Sequence, residues 1–333
     1  MTRADIIREF FAEDESRNDW PSRTVARYLH QSDPQVWTSV NSARRVVNYA
    51  RGLCGKGDRK KLDSNPENKR HTKKPGWMTE AVPKPLSERR EPFKLSGPMT
   101  IGVLSDIHVP YHDKRAVEAA VAELKRRKPD VVYLNGDTAD FYGISRHQKD
   151  PRKVNVAHEL ESVRQLLFWL RSQFKKARII YKIGNHDDRM ERYLASNAPV
   201  LLGVSEFELD HLLKFEDMGM ERVDSLQFAY AGKLPILHGH ELPKGGGVNP
   251  ARWAFLKAAQ TIMIGHFHRT SEHTDATGLS RKVTVCHSTG CLCDLNPDYA
   301  SVNQWNHGFA VVELDAKNNH RTSNLKIIDG EVF

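Results

Sequence analysis

The sequence contains no apolar run approaching the roughly 20 residues needed to cross a bilayer. Its polar opening, MTRADIIREFFAEDESR, holds no hydrophobic signal segment. These absences set the expectation of a cytoplasmic protein without a membrane partner. Cysteine is scarce as well, with Cys54, Cys286, Cys291 and Cys293 the only four in 333 residues. Their uneven placement forms neither a disulfide framework nor a paired CxxC zinc knuckle, so Cys291 and Cys293 read as strand-end packing or free thiols. No internal repeat is present.

What is abundant is positive charge, unevenly distributed. Residues 1–95 carry 20 Lys+Arg against 13 Asp+Glu (+7), and the rest of the chain carries 30 against 29 (+1). That asymmetry points to a basic module for a polyanion attached to a nearly neutral second domain. Three short helices are expected first. Residues 4–14 place Ile6, Ile7, Phe10 and Phe11 on one side; a second helix opens at Pro21-Ser22 with Val25, Ala26, Tyr28 and Leu29; a third spans about 41–51 and stops at Gly52. In the third, Val40, Ala43, Val47 and Ala50 follow helical spacing toward a core. Arg44, Asn48 and Arg51 share the opposite face, with Arg45 beside them, which is what a DNA-reading helix requires. Residues 1–55 therefore resemble a helix-turn-helix module, and DNA is the favoured partner. Residues 56–98 read as a basic linker rich in lysine and proline, with Trp77 and Met78 docking locally.

From residue 99 onward, strands and helices alternate. Strands are expected at 99–106, 131–137 and 177–184, with helices at 115–128 and 156–174 between them. Further strands are expected at 234–238, 261–265, 282–286, 309–314 and 325–328, where helices become fewer. A layered α/β/β/α sandwich fits this order better than a doubly wound sheet. Five of the strand ends finish in related chemistry: Asp106 and His108 in SDIH, Asp137 in NGDTAD, Asn185 and His186 in GNHD, His238 in LHGH, and His266 and His268 in IGHFH. In each pair of the form X-any-His, an extended backbone would turn both side chains to one side, toward one ion.

The order DxH, GDxxD, GNHD, HGH, GHxH resembles the calcineurin-like metallophosphoesterase superfamily, and the resemblance covers about 99–333, the expected catalytic domain. It implies a first metal held by Asp106, His108, Asp137 and His268, and a second held by Asp137, Asn185, His238 and His266, with Asp137 bridging. His240 is the alternative in the fourth motif; His238 directly ends the apolar run and is preferred. Two divalent ions roughly 3.5–4 Å apart can share a hydroxide and clamp a phosphate during in-line displacement. Mixed imidazole, carboxylate and amide donors suit manganese, the favoured ion, and equally iron, zinc, nickel or magnesium. The resemblance also implies that His186 is the general acid and Asp140 the carboxylate that orients it, leaving Asp187 as a turn or helix-start residue.

The protein-phosphatase branch is expected to show GDxxDRG and GNHE, whereas GDTADFYG and GNHDD stand here. Substrate contacts are instead expected from Arg146 and His147 after the second strand, and from Arg189 and Arg192 after GNHDD. A basic module joined to a two-metal centre favours a phosphodiesterase or nuclease acting on DNA or a nucleotide derivative. The alternatives are a broad-specificity phosphomonoesterase and a DNA-binding regulator with a non-catalytic phosphoesterase domain.

Overall fold

The computed structural model describes residues 2–53, 85–86, 90–146, 149–150, 152, 155–243, 245–297 and 300–333. The chain divides into two compact units between Ser87 and Glu88. Most of the expected linker, with Trp77 and Met78, lies outside the described residues.

The first unit is three helices. Thr2 and Asp5 exchange side-chain and backbone bonds to cap α1 (Arg3–Glu13), Pro21 opens α2 (Ser22–Ser32), and Ser39 with Ser42 caps α3 (Val40–Ala50). Ile7, Phe10, Val25, Ala26, Leu29, Ala43 and Val47 meet in one core, joined by Trp37 from the connection between α2 and α3. Val40 and Ala50, expected in that core, are only partly buried against it.

The second unit is built on two sheets. The larger has the order β13-β12-β11-β2-β3-β4-β5, in which β2 (Met99–Leu104), β3 (Val131–Asn135), β4 (Arg178–Lys182) and β5 (Met220–Val223) run parallel. β11 (His307–Leu314) pairs antiparallel with β2 and with β12 (His320–Ile328), which closes on β13 (Glu331–Val332). The smaller has the order β1-β6-β7-β8-β10-β9: β1 (Phe93–Leu95), β6 (Ala229–Ala231), β7 (Leu234–Leu237), β8 (Ile262–Ile264), β10 (Val283–Ser288) and β9 (Ser271–Ala276). The pleat sorts the residues of the large sheet. Val131, Tyr133, Ile101, Val103 and Ile180 face the small sheet's Leu234, Ile236 and Met263. Their neighbours Val132, Leu134, Leu104 and Ile179 face α4 (Lys114–Arg127) and α5 (Val156–Gln173). On the small sheet, Ala251 and Ala254 of a further helix, Pro250–Ala258, pack on Ile262, Ile264 and Cys286. The layers are helix, sheet, sheet, helix.

The helix at Pro250–Ala258, the strands β1, β5, β6, β9 and β13, and the first half of β12 were not anticipated. β9 is SEHTDA, almost all polar and exposed, so it has no apolar alternation to read; only its antiparallel pairing with β10 makes it a strand. No helix among the described residues is long and apolar enough to cross a membrane.

Candidate metal centre

β2 stops at Leu104, β3 at Asn135, β4 at Lys182, β7 at Leu237 and β8 at Ile264, and the motif residues occupy the loops just beyond. The expectation that each pair projects from extended backbone is not met. Asp106, His108, Asp137, His266 and His268 all have left-handed backbones, with φ of 56°, 53°, 51°, 70° and 56°. The pairs converge because the loops turn, not because of the strand pleat, and each such non-glycine residue stores strain of order 1–3 kcal/mol. Glycine is required at the closest approach: a Cβ on Gly184 would collide with Asp137.

The side chains meet in three groups, Asp106 with His108 and His268, His108 with Asp137 and His186, and Asp137 with His238 and His266, each with its ligating atoms within 4.8 Å of one another, so that His108 and Asp137 link the outer two. His268 Nε2 lies 3.3 Å from Asp106 Oδ1 and 3.1 Å from His108 Nε2. Asp137 Oδ2 lies 3.2 Å from His238 Nε2, 3.8 Å from His108 Nε2 and 3.9 Å from His186 Nε2. His238 Nδ1 donates to the Asn135 carbonyl at 2.7 Å, which turns Nε2 toward Asp137. His240 points elsewhere, to Ser225 Oγ at 3.0 Å.

The donor set fits divalent cations. Asn185 Oδ1 is buried and lacks a hydrogen-bond partner, a deficit of roughly 1–3 kcal/mol, while Asp106 Oδ1 and His238 Nε2 face the His268 imidazole at 3.3 Å and the Asp137 carboxylate at 3.2 Å. Carboxylate, imidazole and amide oxygen are the donors such an ion takes. Burial opposes charge on Asp137, but the imidazoles of His238 and His186 outweigh it and hold the carboxyl well below its usual range. Burial likewise works against charge on His238, yet Asp137 and Asp106 raise its pKa to about 10. The pocket stabilises negative charge and demands positive charge beside it.

Asp140 has a larger part than expected. Its Oδ1 lies 2.9 Å from His186 Nδ1 and also 2.9 Å from His108 Nδ1. Burial raises the pKa of this carboxyl, but the two imidazoles overcome that and hold it low. One carboxylate therefore orients both a candidate ligand and the candidate acid. On the other side of His186, Arg189 Nη2 donates to Nε2 at 3.0 Å while Arg189 Nη1 donates to the Asp140 carbonyl at 2.8 Å. Because a guanidinium only donates, His186 here carries its proton on Nδ1.

Two buried groups that sequence reasoning undervalued hold the loops in place. Asp187, read as a turn residue, is 1% exposed and accepts from Gly184 N (2.8 Å), Ala139 N (2.9 Å) and Tyr181 Oη (2.6 Å), tying the GNHD turn to the GDTAD loop. Burial, and then the Asp137 charge, push its pKa up to about 6. Lys182 is fully buried; its Nζ donates to the carbonyls of Asp224, Ser225 and Gln227 and lies 3.1 Å from Glu241 Oε1. Glu241 in turn accepts from the backbone N–H of His238 at 3.3 Å and of Gly239 at 2.8 Å. The lysine inside the apolar YKIG run was the available signal.

A family model for calcineurin-like phosphoesterases matches residues 99–295. The chain belongs to that family. It is similar to the gene 54 proteins of two mycobacteriophages: 27% identical over 233 residues to that of phage L5 (65% of this chain, 89% of that protein), and 28% over 251 residues to that of phage D29 (70% and 95%). Among solved structures it is similar to wild-type Vps29 from Entamoeba histolytica complexed with zinc, with a TM-score of 0.39 and 14% identity over 71% of this chain and 96% of that one. It is also similar to the Escherichia coli phosphoesterase YfcE, with a TM-score of 0.31 and 13% identity over 68% and 98%.

Beside Asn185, the phosphoesterase unit has a cavity of about 410 Å³ lined by Ile144, Ser145, Arg146, Lys149, Asn185, Arg189, Arg192, Tyr193, Ser196 and Asn197. Three of the four expected substrate contacts thus share one wall, although Arg192 also pairs with Asp188. The fourth, His147, lies outside the described residues. Lys149, which was not singled out, joins them.

In the helical unit, Arg44 and Arg45 are exposed on α3 and Asn48 is half-buried. Arg51 departs from the expected outward stripe. Its Nη1 donates to Ser22 Oγ at 3.0 Å, its Nη2 donates to the Trp20 and Asn18 carbonyls at 2.8 and 3.2 Å, and its guanidinium lies over Phe11 at 4.9 Å. It follows the last residue of α3 and ties that end to the α1–α2 connection. Residues 2–53 carry eight arginines and no lysine against seven carboxylates, so nearly all of the basic excess before residue 95 falls beyond the helices.

Proposed function

We propose that this protein is a dinuclear-metal-dependent phosphodiesterase acting on nucleic acid, DNA in preference, or on a nucleotide derivative. In this reading Asp106, His108, Asp137 and His268 hold one ion, and Asp137, Asn185, His238 and His266 the other; manganese is the favoured ion. When bound, the ions supply the nucleophile's activation and neutralise charge on the phosphate. Once Arg189 has left it, Nε2 of His186 takes a proton from solvent and gives it to the departing oxygen, with Asp140 fixing the ring through Nδ1. Arg189 must first release Nε2, and the phosphate is the group that draws its guanidinium away. Residues 1–55 bind the polymer, 56–98 tether it, and 99–333 cleave it.

The observation that carries the diester reading is the cavity beside Asn185. Among the described residues its lining includes Arg146, Lys149, Arg189 and Arg192 and no carboxylate, so it suits the charge of a substrate extending past the reacting phosphate. Metal analysis followed by hydrolysis of bis-nitrophenyl and mono-nitrophenyl phosphate tests it. The diester should be turned over faster; the reverse preference makes the protein a phosphomonoesterase, and no turnover of either with metal bound makes the domain a scaffold. A panel of single-stranded DNA, duplex DNA, RNA and cyclic nucleotides then identifies the polymer.

A further inference from the structure

His268 has a second face that the proposed chemistry leaves unused. With Nε2 directed at Asp106, its Nδ1 meets Cys293 Sγ at 3.8 Å, and Cys291 completes a buried trio whose ligating atoms lie within 4.8 Å of one another. A metal-bound histidine commonly donates its other ring N–H to a carboxylate, a carbonyl or water; here a thiol occupies that place.

The Cys-Leu-Cys segment is held rigidly. Cys291 bridges to His307 and Cys293 to His112, the Cys291 amide donates to the Asn306 carbonyl at 3.1 Å, and the Leu292 amide donates to the Asp106 carbonyl at 3.0 Å. Its two cysteines lie in one trio with His268, while Leu292 between them enters the main core. Around a tetrahedral ion bound at roughly 2.3 Å to sulfur and 2.0 Å to nitrogen, those donors stand about 3.5 Å apart. The observed 3.8 Å between Sγ and Nδ1 needs little adjustment.

We propose that Cys291, Cys293 and Nδ1 of His268 form a site for a thiophilic divalent cation of the zinc and cadmium class, and that filling it competes with the ion held through Nε2 of the same imidazole. Binding releases the two thiol protons for one divalent cation, and a proton on Nδ1 passes to Nε2 of the same ring, so charge and atoms balance without an oxidant. Soft thiolates select such ions, whereas the centre next to them, with imidazole, carboxylate and amide donors and no thiolate, suits harder ones. The competition, though not the binding, rests on the reading of His268 as a ligand of the catalytic centre.

The test titrates metal-free full-length protein with cadmium and follows the ultraviolet thiolate-to-cadmium absorption. Wild type should saturate at one thiolate-bound ion, and C291S/C293S, which keeps Cys54 and Cys286, should lose that band; C291A/C293A serves if the serine pair does not fold. Cadmium should inhibit manganese-dependent hydrolysis of bis-nitrophenyl phosphate in wild type, with the double variant on the order of tenfold less sensitive. No band in wild type, or an undiminished one in the variants, overturns the site; a band with equal cadmium sensitivity in both proteins overturns the competition. Absence of manganese-dependent hydrolysis before cadmium is added counts against the dinuclear reading alone, because the absorption does not depend on turnover.

Discussion

The helical unit and the phosphoesterase unit treat polar groups in opposite ways. Among the described residues of the first, no polar or charged side chain is buried and no residue other than Gly52 has a positive φ. The second buries Asp106, His108, Asp137, Asp140, Lys182, Asp187, His238 and His268, and strains five of its candidate ligands into left-handed backbone. Stability alone does not favour that arrangement, because buried charge and non-glycine left-handed residues are both destabilising. In the helical unit each local choice agrees with the fold; in the phosphoesterase unit, buried charges and five of the twelve left-handed non-glycine residues among the described residues meet at the strand ends, which is the signature of a site.

If the buried polar groups serve chemistry, removing them should damage turnover or metal affinity more than folding. The largest effect is expected at His186. His186→Asn should slow hydrolysis of an ester with a poor leaving group by about 10²–10⁴-fold, slow that of nitrophenolate much less, and leave metal content intact. Equal losses on both esters count against an acid role.

Glu159 sharpens the comparison in the other direction, as a buried carboxyl with a stability cost. It is 2% exposed, and burial followed by the Asp140 charge raises its pKa from 4.5 to about 7. Between those values the folded state holds the proton more tightly than the unfolded state, so stability falls as pH rises through the window. The decline is bounded at on the order of 3 kcal/mol. Glu159→Gln should flatten it in urea titrations between pH 4.5 and 7, and an unchanged slope refutes the assignment.

Lys182 tests whether a buried charge pair works by positioning. Lys182→Met leaves Glu241 without the lysine's charge and loosens the loop bearing His238, so affinity for the second ion should fall about 10–100-fold by calorimetry, with the first ion's affinity retained. Uniform loss of both would mark a general folding defect.

The smallest effect belongs to the helical unit. Replacing Arg44 and Arg45 by alanine should leave small-ester hydrolysis unchanged and reduce the salt slope of DNA binding by about 2 if each touches a phosphate. An unchanged slope removes α3 as the contact and leaves the basic segment beyond it.

Much of the site was legible because its signals are local. An apolar run ending in Gly, Asp, Asn or His needs no knowledge of distant residues, and five such runs in one order carried both the layered fold and the candidate ligands. Arg51 misled because helical spacing alone places it on the outer face, whereas α3 ends one residue earlier and the guanidinium reaches Trp20. The left-handed loops were missed because the pleat extrapolates a strand past the point at which it stops.

The sequence by itself determined which residues could ligate metal, the alternation that sorts the large sheet's two faces, and the uneven distribution of charge. Only the tertiary structure decided that Asp140 serves both His108 and His186, that Lys182 reaches Glu241, and that Cys293 sits behind His268. These partners are separated by 25 to 59 positions (His268–Cys293 and Lys182–Glu241 at the extremes). Periodicity describes a residue's face within its own element, whereas which faces meet depends on how the loops fold back over the strand ends.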